Sequence, residues 1–264
     1  MNFPNRIICL TEETTEILYG IGAEDLIVGI SGYTVRPKNA RKEKPRVSAF
    51  QSANIEKILD LKPDLVLGFS DIQSDICANL IKHGVNVLCF NQRSINEIFD
   101  VIKLLGRIVD LQERTSEYLN NIKNHLNKIC LLGKSFKTKP KVFFEEWDDP
   151  IITGIKWVSE IIEIAGGIDV FKSYASEPIA TNRIIENHGD VVDANPDIIF
   201  ASWCGKKINK ERIIKRKNWH QINAIKTNNI HEIKSPLILQ PGPAALTDGL
   251  TEIHKVISDW SSIQ

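Results

Sequence analysis

The chain has 264 residues, with 33 basic and 33 acidic side chains and therefore no net charge at pH 7. Hydrophobic residues make up 42% and charged residues 25%, which is ordinary for a globular protein. The charge balance removes the general electrostatic attraction to nucleic acid or to an anionic membrane surface, so we expect neither partner. No stretch of about 18 consecutive apolar residues occurs, so we expect no membrane insertion.

The start of the chain lacks the basic residues, apolar stretch and cleavage site of a secretory signal. The sequence as written therefore predicts a cytoplasmic protein, or a periplasmic one if a leader has been removed. The cysteines are odd in number and widely spaced, with no CxxC: Cys9, Cys77, Cys89, Cys130 and Cys204. Four of the five sit in apolar runs, which favours reduced, buried thiols in a reducing compartment.

Short apolar runs alternate with stretches of helical period over the first 108 residues. The predicted elements, in chain order, are strand Arg6–Leu10, helix Thr15–Gly20 behind a cap at Thr11–Thr14, strand Leu26–Ile30, helix Ile55–Leu61, strand Leu65–Phe69, helix Ile72–His83, strand Val85–Phe90 and helix Ile95–Leu105. Strands that alternate with helices in this way predict a parallel sheet with helices on its faces.

The middle of the chain differs, because no Pro or Gly occurs from about Leu111 to Leu131. Apolar side chains recur there at spacings of three and four residues: Leu119, Ile122, Leu126 and Ile129. This period predicts one long amphipathic helix, which we expect to end at Gly133 and the following segment, Lys134–Pro140.

The alternation then resumes in the last part of the chain. The predicted elements are strand Lys141–Glu145, helix Trp157–Ala165, strand Ile198–Ala201, strand Ile230–Ile233 and helix Leu246–Trp260. Both halves contain a Pro-Asp pair followed by an apolar strand, at Pro63-Asp64 and at Pro196-Asp197. The fold class predicted from these patterns is α/β, with two similar Rossmann-like lobes and parallel-rich sheets. We place the lobes at 1–108 and 140–264, joined by one backbone helix at 109–133, with a ligand cleft between the lobes.

Several blocks carry a resemblance to a known family. Arg6–Gly22, Ile55–Val66, Glu163–Gly167 and Asn195–Ile199 are similar, in the same order, to the helical-backbone substrate-binding proteins of ABC importers for cobalamin and ferric siderophores. Further blocks resemble the subgroup labelled cobalamin-binding proteins: Phe69–Gln73, Asn91–Ser94, Ala201–Gly205 and Gln240–Ala244.

The resemblance implies a non-catalytic protein that binds a small molecule, with a corrinoid or a ferric chelate as ligand and no required cofactor. It also implies an ABC permease as partner if the protein is exported, and we expect a monomer. The sequence departs from exported members in having no signal peptide and no lipid-attachment cysteine near its start.

Ligands of open α/β sheets bind outside the carboxyl ends of the strands, so the residues that follow the predicted strands are the candidate contacts. The predicted ligand-binding residues are Glu12, Tyr33, Phe50, Gln51, Ser70, Asp71, Gln73, Asn91, Arg93, Glu146, Trp147, Trp157, Trp203 and Gln240.

Several of these residues have a second interpretation. The three tryptophans form either an aromatic wall or part of the core, and Ser70-Asp71 is also a helix N-cap. Arg93 either pairs with an anionic group of the ligand or lies on the surface. The acidic run 145–149 suits a cationic or amide-bearing ligand, a hard metal ion or a solvated loop.

The sequence offers little support for catalysis or for a resident metal. GxSxG, Walker and GxGxxG motifs are absent, and no two of the six histidines have HxH or HxxxH spacing. We therefore assign no catalytic residue and no metal ligand. The alternative function is a cytoplasmic enzyme or ligand sensor that reuses the scaffold, because a fold does not determine a function.

Overall fold

The computed structural model describes residues 4–263. Residues 1–3 and 264, at the outer ends of the predicted lobes, lie outside the described residues. The chain divides into two compact units. Unit 1 comprises the chain up to Gln92 together with Asn96–Asn121, and unit 2 comprises Arg93–Ile95 together with Ile122–Gln264. The predicted limits of the two lobes and of the backbone helix, at residues 108, 133 and 140, stay predictions.

Unit 1 is built on a parallel sheet of five strands. The strands are β1 (Ile7–Cys9), β2 (Ile27–Ser31), β3 (Arg46–Ser48), β4 (Leu65–Phe69) and β5 (Val87–Phe90). The helices are α1 (Glu12–Gly20), α2 (Ala40–Glu43), α3 (Ile55–Asp60), α4 (Ser74–Lys82) and α5 (Ile95–Ile108), and a short 3-10 turn, Asp71–Gln73, precedes α4. The strand order is β3-β2-β1-β4-β5, and every neighbouring pair is parallel.

The hydrophobic runs of unit 1 become its central strands. All five residues of β4 and all three of β1 are buried, as expected for strands that are covered on both faces. Strands β2 and β3 are added on one side of β1, whereas β4 and β5 are added on its other side, so the order of the strands along the chain reverses between β1 and β4. Such a reversal leaves a crevice beside the strand ends, where open α/β sheets commonly bind their ligands.

Unit 2 has a mixed sheet in which most pairs are parallel. Its strands are β6 (Lys141–Asp148), β7 (Ile151–Thr153), β8 (Ile168–Asp169), β9 (Ile198–Ala201) and β10 (Ile230–Glu232). Its helices are α7 (Lys156–Ala165), α8 (Gly189–Ala194), α9 (Lys210–Ile214), α10 (Asn223–Lys226), α11 (Ser235–Ile238) and α12 (Leu250–Ser261). The strand order is β10-β9-β6-β7, and β8 pairs with β6. Only the β6–β7 pair among the described strands is antiparallel, so the predicted parallel-rich α/β fold is confirmed.

One long helix, α6 (Gln112–Lys134), crosses the division between the units. The four apolar positions that predicted it, 119, 122, 126 and 129, are all buried. The helix ends at Lys134, inside the predicted terminating segment, although Gly133 itself still belongs to its last turn. A Cβ atom at Gly133 would stand 2.8 Å from the backbone nitrogen of Gly166, so the glycine permits a close approach of two chain segments.

A second difference concerns the strand predicted at Lys141–Glu145. This strand continues to Asp148 and then turns back as β7. The acidic residues 145–149 therefore belong to a hairpin rather than to a loop. The last predicted helix also begins irregularly, with one π-helical turn at Ala245–Gly249 before α12.

The repeated Pro-Asp blocks have the same structural role in both units. In unit 1 the Asp64 carboxylate accepts hydrogen bonds from the backbone N–H of Arg6 at 3.0 Å and of Asn5 at 2.7 Å. In unit 2 the Asp197 carboxylate accepts from the backbone N–H of Lys141 at 2.9 Å. Each aspartate thus holds the backbone in place where the first strand of its sheet begins.

Membrane-spanning helices were also sought in the structure. Between residues 4 and 263, none of the helices is both long enough and apolar enough to cross a bilayer.

Candidate functional site

The fold brings eight of the predicted contact residues to one edge of the unit 1 sheet. They follow the strands in turn: Glu12 after β1, Tyr33 after β2, Phe50 and Gln51 after β3, Ser70, Asp71 and Gln73 after β4, and Asn91 after β5. Because the strands are parallel, their carboxyl ends meet at this edge. We call these eight residues the strand-end set.

Gln73 holds the strand ends together from inside. Its side chain is fully buried. Its Oε1 accepts from the backbone N–H of Phe69 at 3.0 Å, and its Nε2 donates to the carbonyl oxygens of Leu10 at 3.3 Å and Phe50 at 3.0 Å. The amide therefore joins the ends of β1 and β4 to the loop after β3. Gln73 positions the edge and offers no surface to a ligand.

Ser70 has an unusual backbone at the end of β4. Its φ of 60° and ψ of −179° lie in a region that residues with a side chain rarely adopt. Its Oγ accepts from the backbone N–H of Ile72 at 3.3 Å, so the predicted capping role is confirmed. The serine is 4% exposed, whereas Asp71 beside it is exposed.

The remaining members of the strand-end set have surface available to a ligand. Tyr33 is 53% exposed, and its backbone N–H donates to Ser31 Oγ at 3.2 Å. Gln51 and Asn91 are exposed, and Phe50 is half-buried. This edge therefore combines aromatic surface with amide groups.

A buried carboxyl group, missed in the sequence, lies beside this edge. Glu13 is 1% exposed, and its Oε1 accepts from the Thr11 hydroxyl at 2.6 Å. Its Oε2 has no hydrogen-bond partner in the part of the chain that the structure describes. Burial raises the pKa of Glu13 to about 7, because the charged form has lost its hydration. No sequence signal marks this residue, since exposed glutamates open many helices.

Arg93 was predicted as a contact of the first lobe, but it groups with unit 2. Its carbonyl oxygen accepts from the backbone N–H of Trp157 at 3.0 Å. Two residues later, the backbone N–H of Ile95 donates to Glu160 at 2.7 Å. Arg93 is half-buried, and its contact with a ligand stays a prediction.

In unit 2 the acidic run is neutralised by cations from distant parts of the chain. The fully buried Glu145 pairs with both Nη atoms of Arg216 and accepts from the Trp203 indole N–H at 3.0 Å. Burial raises the pKa of Glu145, and the hydrogen bond from Arg216 opposes that rise. The pair is satisfied within the unit.

Asp148 is the second buried carboxylate of the run. It contacts Lys206 Nζ at 2.7 Å and Arg212 Nη1 at 2.8 Å. The Lys206 ammonium also lies 4.1 Å from the ring centre of Trp147, within the range of a cation–π contact. Lys206 is thereby held between a carboxylate and an aromatic ring.

Glu146, a predicted ligand contact, forms a bidentate pair with Arg183, at 2.7 and 3.1 Å. Arg183 is only 2% exposed and also donates to the carbonyl oxygen of Thr153 at 2.7 Å. The acidic run therefore has the internal partners that a hard-metal site would have to lack. Within residues 4–263, no cluster of three or more His, Cys, Asp and Glu side chains is placed to hold a metal ion.

The three candidate tryptophans differ in accessibility. Trp157 is 4% exposed, with its indole N–H bonded to the Ile238 carbonyl at 2.8 Å, and Trp203 is 3% exposed. Both therefore pack inside unit 2 and offer a ligand little surface. Trp147 is half-buried, and its indole N–H donates to the Asp149 carbonyl at 3.0 Å. Trp147 and the half-buried Gln240 are the unit 2 candidates with surface available.

Three comparisons with known proteins bear on this arrangement. The sequence profile of the periplasmic binding protein family matches residues 7–237. The uncharacterized ABC transporter substrate-binding lipoprotein YvrC of Bacillus subtilis (strain 168) is 26% identical over 260 residues, which cover 96% of this chain and 80% of that protein.

Two crystal structures are similar over nearly the whole chain. The periplasmic vitamin B12 binding protein BtuF of Vibrio cholerae superposes with a TM-score of 0.76 and 25% identity, covering 98% of both chains. A possible iron-binding (periplasmic solute-binding) protein of Staphylococcus epidermidis ATCC 12228 superposes with a TM-score of 0.80 and 26% identity, covering 96% of this chain and 98% of the other.

These matches confirm the resemblance stated from the sequence blocks. They also set aside the alternative of an enzyme, because the family consists of non-catalytic substrate-binding proteins of ABC transporters. The family profile covers most of the chain, from the first strand of unit 1 to α11 of unit 2. The chain therefore belongs to the periplasmic binding protein family and binds a small ligand without chemical conversion.

Proposed function

We propose that this protein binds a corrinoid outside the cytoplasm and delivers it to an ABC permease. The observation that carries the ligand class is the similarity over 98% of the chain to the vitamin B12 binding protein of Vibrio cholerae. Export is supported by that periplasmic protein and by the Bacillus subtilis relative, a lipoprotein of an ABC transporter.

The strand-end set suits such a ligand. A corrinoid presents a flat ring edged by amide side chains, which calls for aromatic surface and for amide or carboxylate partners. Tyr33 and Phe50 supply rings, and Gln51, Asp71 and Asn91 supply polar groups at the same edge of unit 1. Gln73 supports this edge from inside unit 1. Within unit 2, Trp147 and Gln240 keep surface that a ligand could contact, whereas Trp157 and Trp203 are buried.

A ferric chelate is the second candidate ligand. It is favoured by the similarity to the Staphylococcus epidermidis protein, which is described as possibly iron-binding. The residues of the strand-end set include oxygen and nitrogen donors that suit the periphery of a chelate. They do not form a site that would bind the bare metal.

Calorimetric titration of the purified protein with cyanocobalamin, with dicyanocobinamide and with ferrichrome tests the proposal. We expect saturable one-to-one binding of a corrinoid and none of ferrichrome. At about 100 times its dissociation constant, the ligand should also stabilise the fold by about 2.7 kcal/mol in thermal unfolding. Saturable binding of ferrichrome alone would favour the second candidate, and binding of none of these ligands would refute the corrinoid assignment.

The position of the site is tested with two matched variants. Tyr33→Ala removes an exposed ring from the strand-end set and should weaken corrinoid binding at least tenfold. Ile81→Ala removes an apolar side chain of similar exposure, 59%, from the last turn of α4, and should leave affinity unchanged. Equal affinities for the two variants would place the ligand elsewhere.

A further inference from the structure

Two cysteines that are twelve positions apart in the sequence come together in unit 1. Cys77 lies on α4 and Cys89 on β5, and the Cys89 side chain is close enough to Cys77 to lower the pKa of its thiol. Both are thiols rather than a disulfide. The expectation of buried cysteines holds for Cys9 and Cys77, whereas Cys130 is half-buried, and it is wrong for Cys89 and Cys204, which are exposed.

The sheet register shows why the two sulfurs meet. Cys89 is the direct partner of Gly68 in the parallel β4–β5 pair. A Cβ atom at Gly68 would point at Cys77 Sγ from 3.1 Å. Paired residues in a sheet project to the same face, and neighbouring strands lie about 4.8 Å apart. The Cys89 side chain therefore stands on the face covered by Cys77, and the missing side chain at position 68 leaves room for the sulfur.

We propose that Cys77 and Cys89 form a reversible intrachain disulfide, with a small disulfide such as oxidised glutathione as the oxidant. The thiolate of Cys89 attacks the oxidant, releases one thiol and leaves a mixed disulfide on Cys89. The Cys77 thiolate then attacks the Cys89 sulfur and releases the second thiol. The two cysteines lose two protons and two electrons, and the oxidant is reduced to two thiols.

The environments of the two thiols match this order of events. Cys89 is exposed, so it meets the oxidant first, whereas Cys77 is 7% exposed and is reached through its neighbour. Burial raises the pKa of Cys77, so its thiolate is scarce at neutral pH. Closure of the disulfide should therefore accelerate as the pH rises.

The disulfide would change the edge that carries the strand-end set. In the reduced protein Cys89 Sγ lies 3.6 Å from the carbonyl oxygen of Ser70, to which its thiol donates. Oxidation removes that donor and ties β5 to α4, the helix that follows Ser70 in the chain. The redox state of the pair is thus coupled to the end of β4, and this coupling does not depend on which ligand the protein binds.

The experiment uses the full-length protein, fully reduced and then exposed to oxidised glutathione at pH 7 and pH 8.5. We expect the intact mass to fall by two hydrogen atoms, faster at the higher pH, and to return on reduction with dithiothreitol. Proteolysis without reduction should yield one cross-linked peptide pair that contains positions 77 and 89. Thermal unfolding should occur at a higher temperature in the oxidised protein.

Three variants make the result specific. Cys204→Ser, at the other exposed cysteine, should keep the cross-link, whereas Cys77→Ser and Cys89→Ser should each abolish it. A stable glutathione adduct on wild-type Cys89 without closure would overturn the proposal, as would a cross-link that includes any other cysteine. The wild-type peptide map decides the matter even if a serine variant fails to fold.

Discussion

Replacement of Gln73 by leucine is the sharpest test of how the candidate site is held. The change keeps the approximate size of the side chain but removes its amide, so the buried Phe69 N–H and the carbonyl of the half-buried Phe50 lose the partner that the structure gives them. A buried polar group without a partner costs about 1–3 kcal/mol. Leu10 O keeps a second donor, the Ser48 hydroxyl at 3.3 Å. The buried Phe69 N–H is therefore left unsatisfied, and we expect the free energy of unfolding to fall by about 1–3 kcal/mol, with a smaller further loss at the half-buried Phe50 carbonyl.

The measurement is urea unfolding of the wild type and the variant, followed by circular dichroism at pH 7. Gln51→Leu is the matched control, because it makes the same substitution at an exposed position of the same edge and should change stability by less than about 0.5 kcal/mol. Ligand affinity should also fall in Gln73→Leu, since the strand ends lose their common hydrogen-bonding partner.

Gln73→Glu adds a second perturbation at the same site. Its carboxylate can still accept from the Phe69 N–H, but it faces the carbonyl oxygens of Leu10 and Phe50 without a proton to donate. We expect this variant to be less stable at pH 8 than at pH 5, where protonation restores a donor. If both variants unfold with the wild-type free energy, the buried amide does not hold the strand ends and the reasoning fails.

Two further predictions concern buried carboxyl groups. The pKa of Glu13 is about 7 in the folded protein and 4.5 when exposed, so the wild type should lose roughly 3 kcal/mol of stability between about pH 4.5 and pH 7.5, at about 1.4 kcal/mol per pH unit. In urea unfolding, Glu13→Gln should abolish this loss of stability. The control Glu113→Gln, on the exposed face of α6, should retain it. An identical dependence of stability on pH in all three proteins would contradict the raised pKa of Glu13. Arg216→Met should lower stability at pH 7 by about 3–5 kcal/mol, because Glu145 would keep a buried charge without its cation. The double variant Arg216→Met with Glu145→Gln should recover part of that loss, and no recovery would show that the ion pair is not the cause.

Much of the fold could be predicted from local patterns. Strands β4 and β9 begin and end where the sequence predicts, at Leu65–Phe69 and Ile198–Ala201. Each is a short apolar run that follows a Pro-Asp pair, and each lies in the interior of its sheet. The edge strands β3 and β7 were missed, because a strand of three residues is too short to show a period.

The candidate site was predictable in outline only. Parallel strands end at one edge, so the residues after them could be named from the sequence, and unit 1 does bring eight of them together. Accessibility was not predictable, because burial depends on what packs above each side chain. Gln73 and Tyr33 both follow strands, yet the first is fully buried and the second is 53% exposed.

The sequence alone determined the alternation of strands and helices, the long helix α6, the repeated blocks and the family, since all of these depend on residues close together in the chain or on their order. The tertiary structure decided the partners of the charged and polar groups. Arg183 and Arg216 neutralise Glu146 and Glu145 from 37 and 71 positions away. Such pairings have no local signal, because only the packing of whole elements determines which distant side chains meet in a space without water.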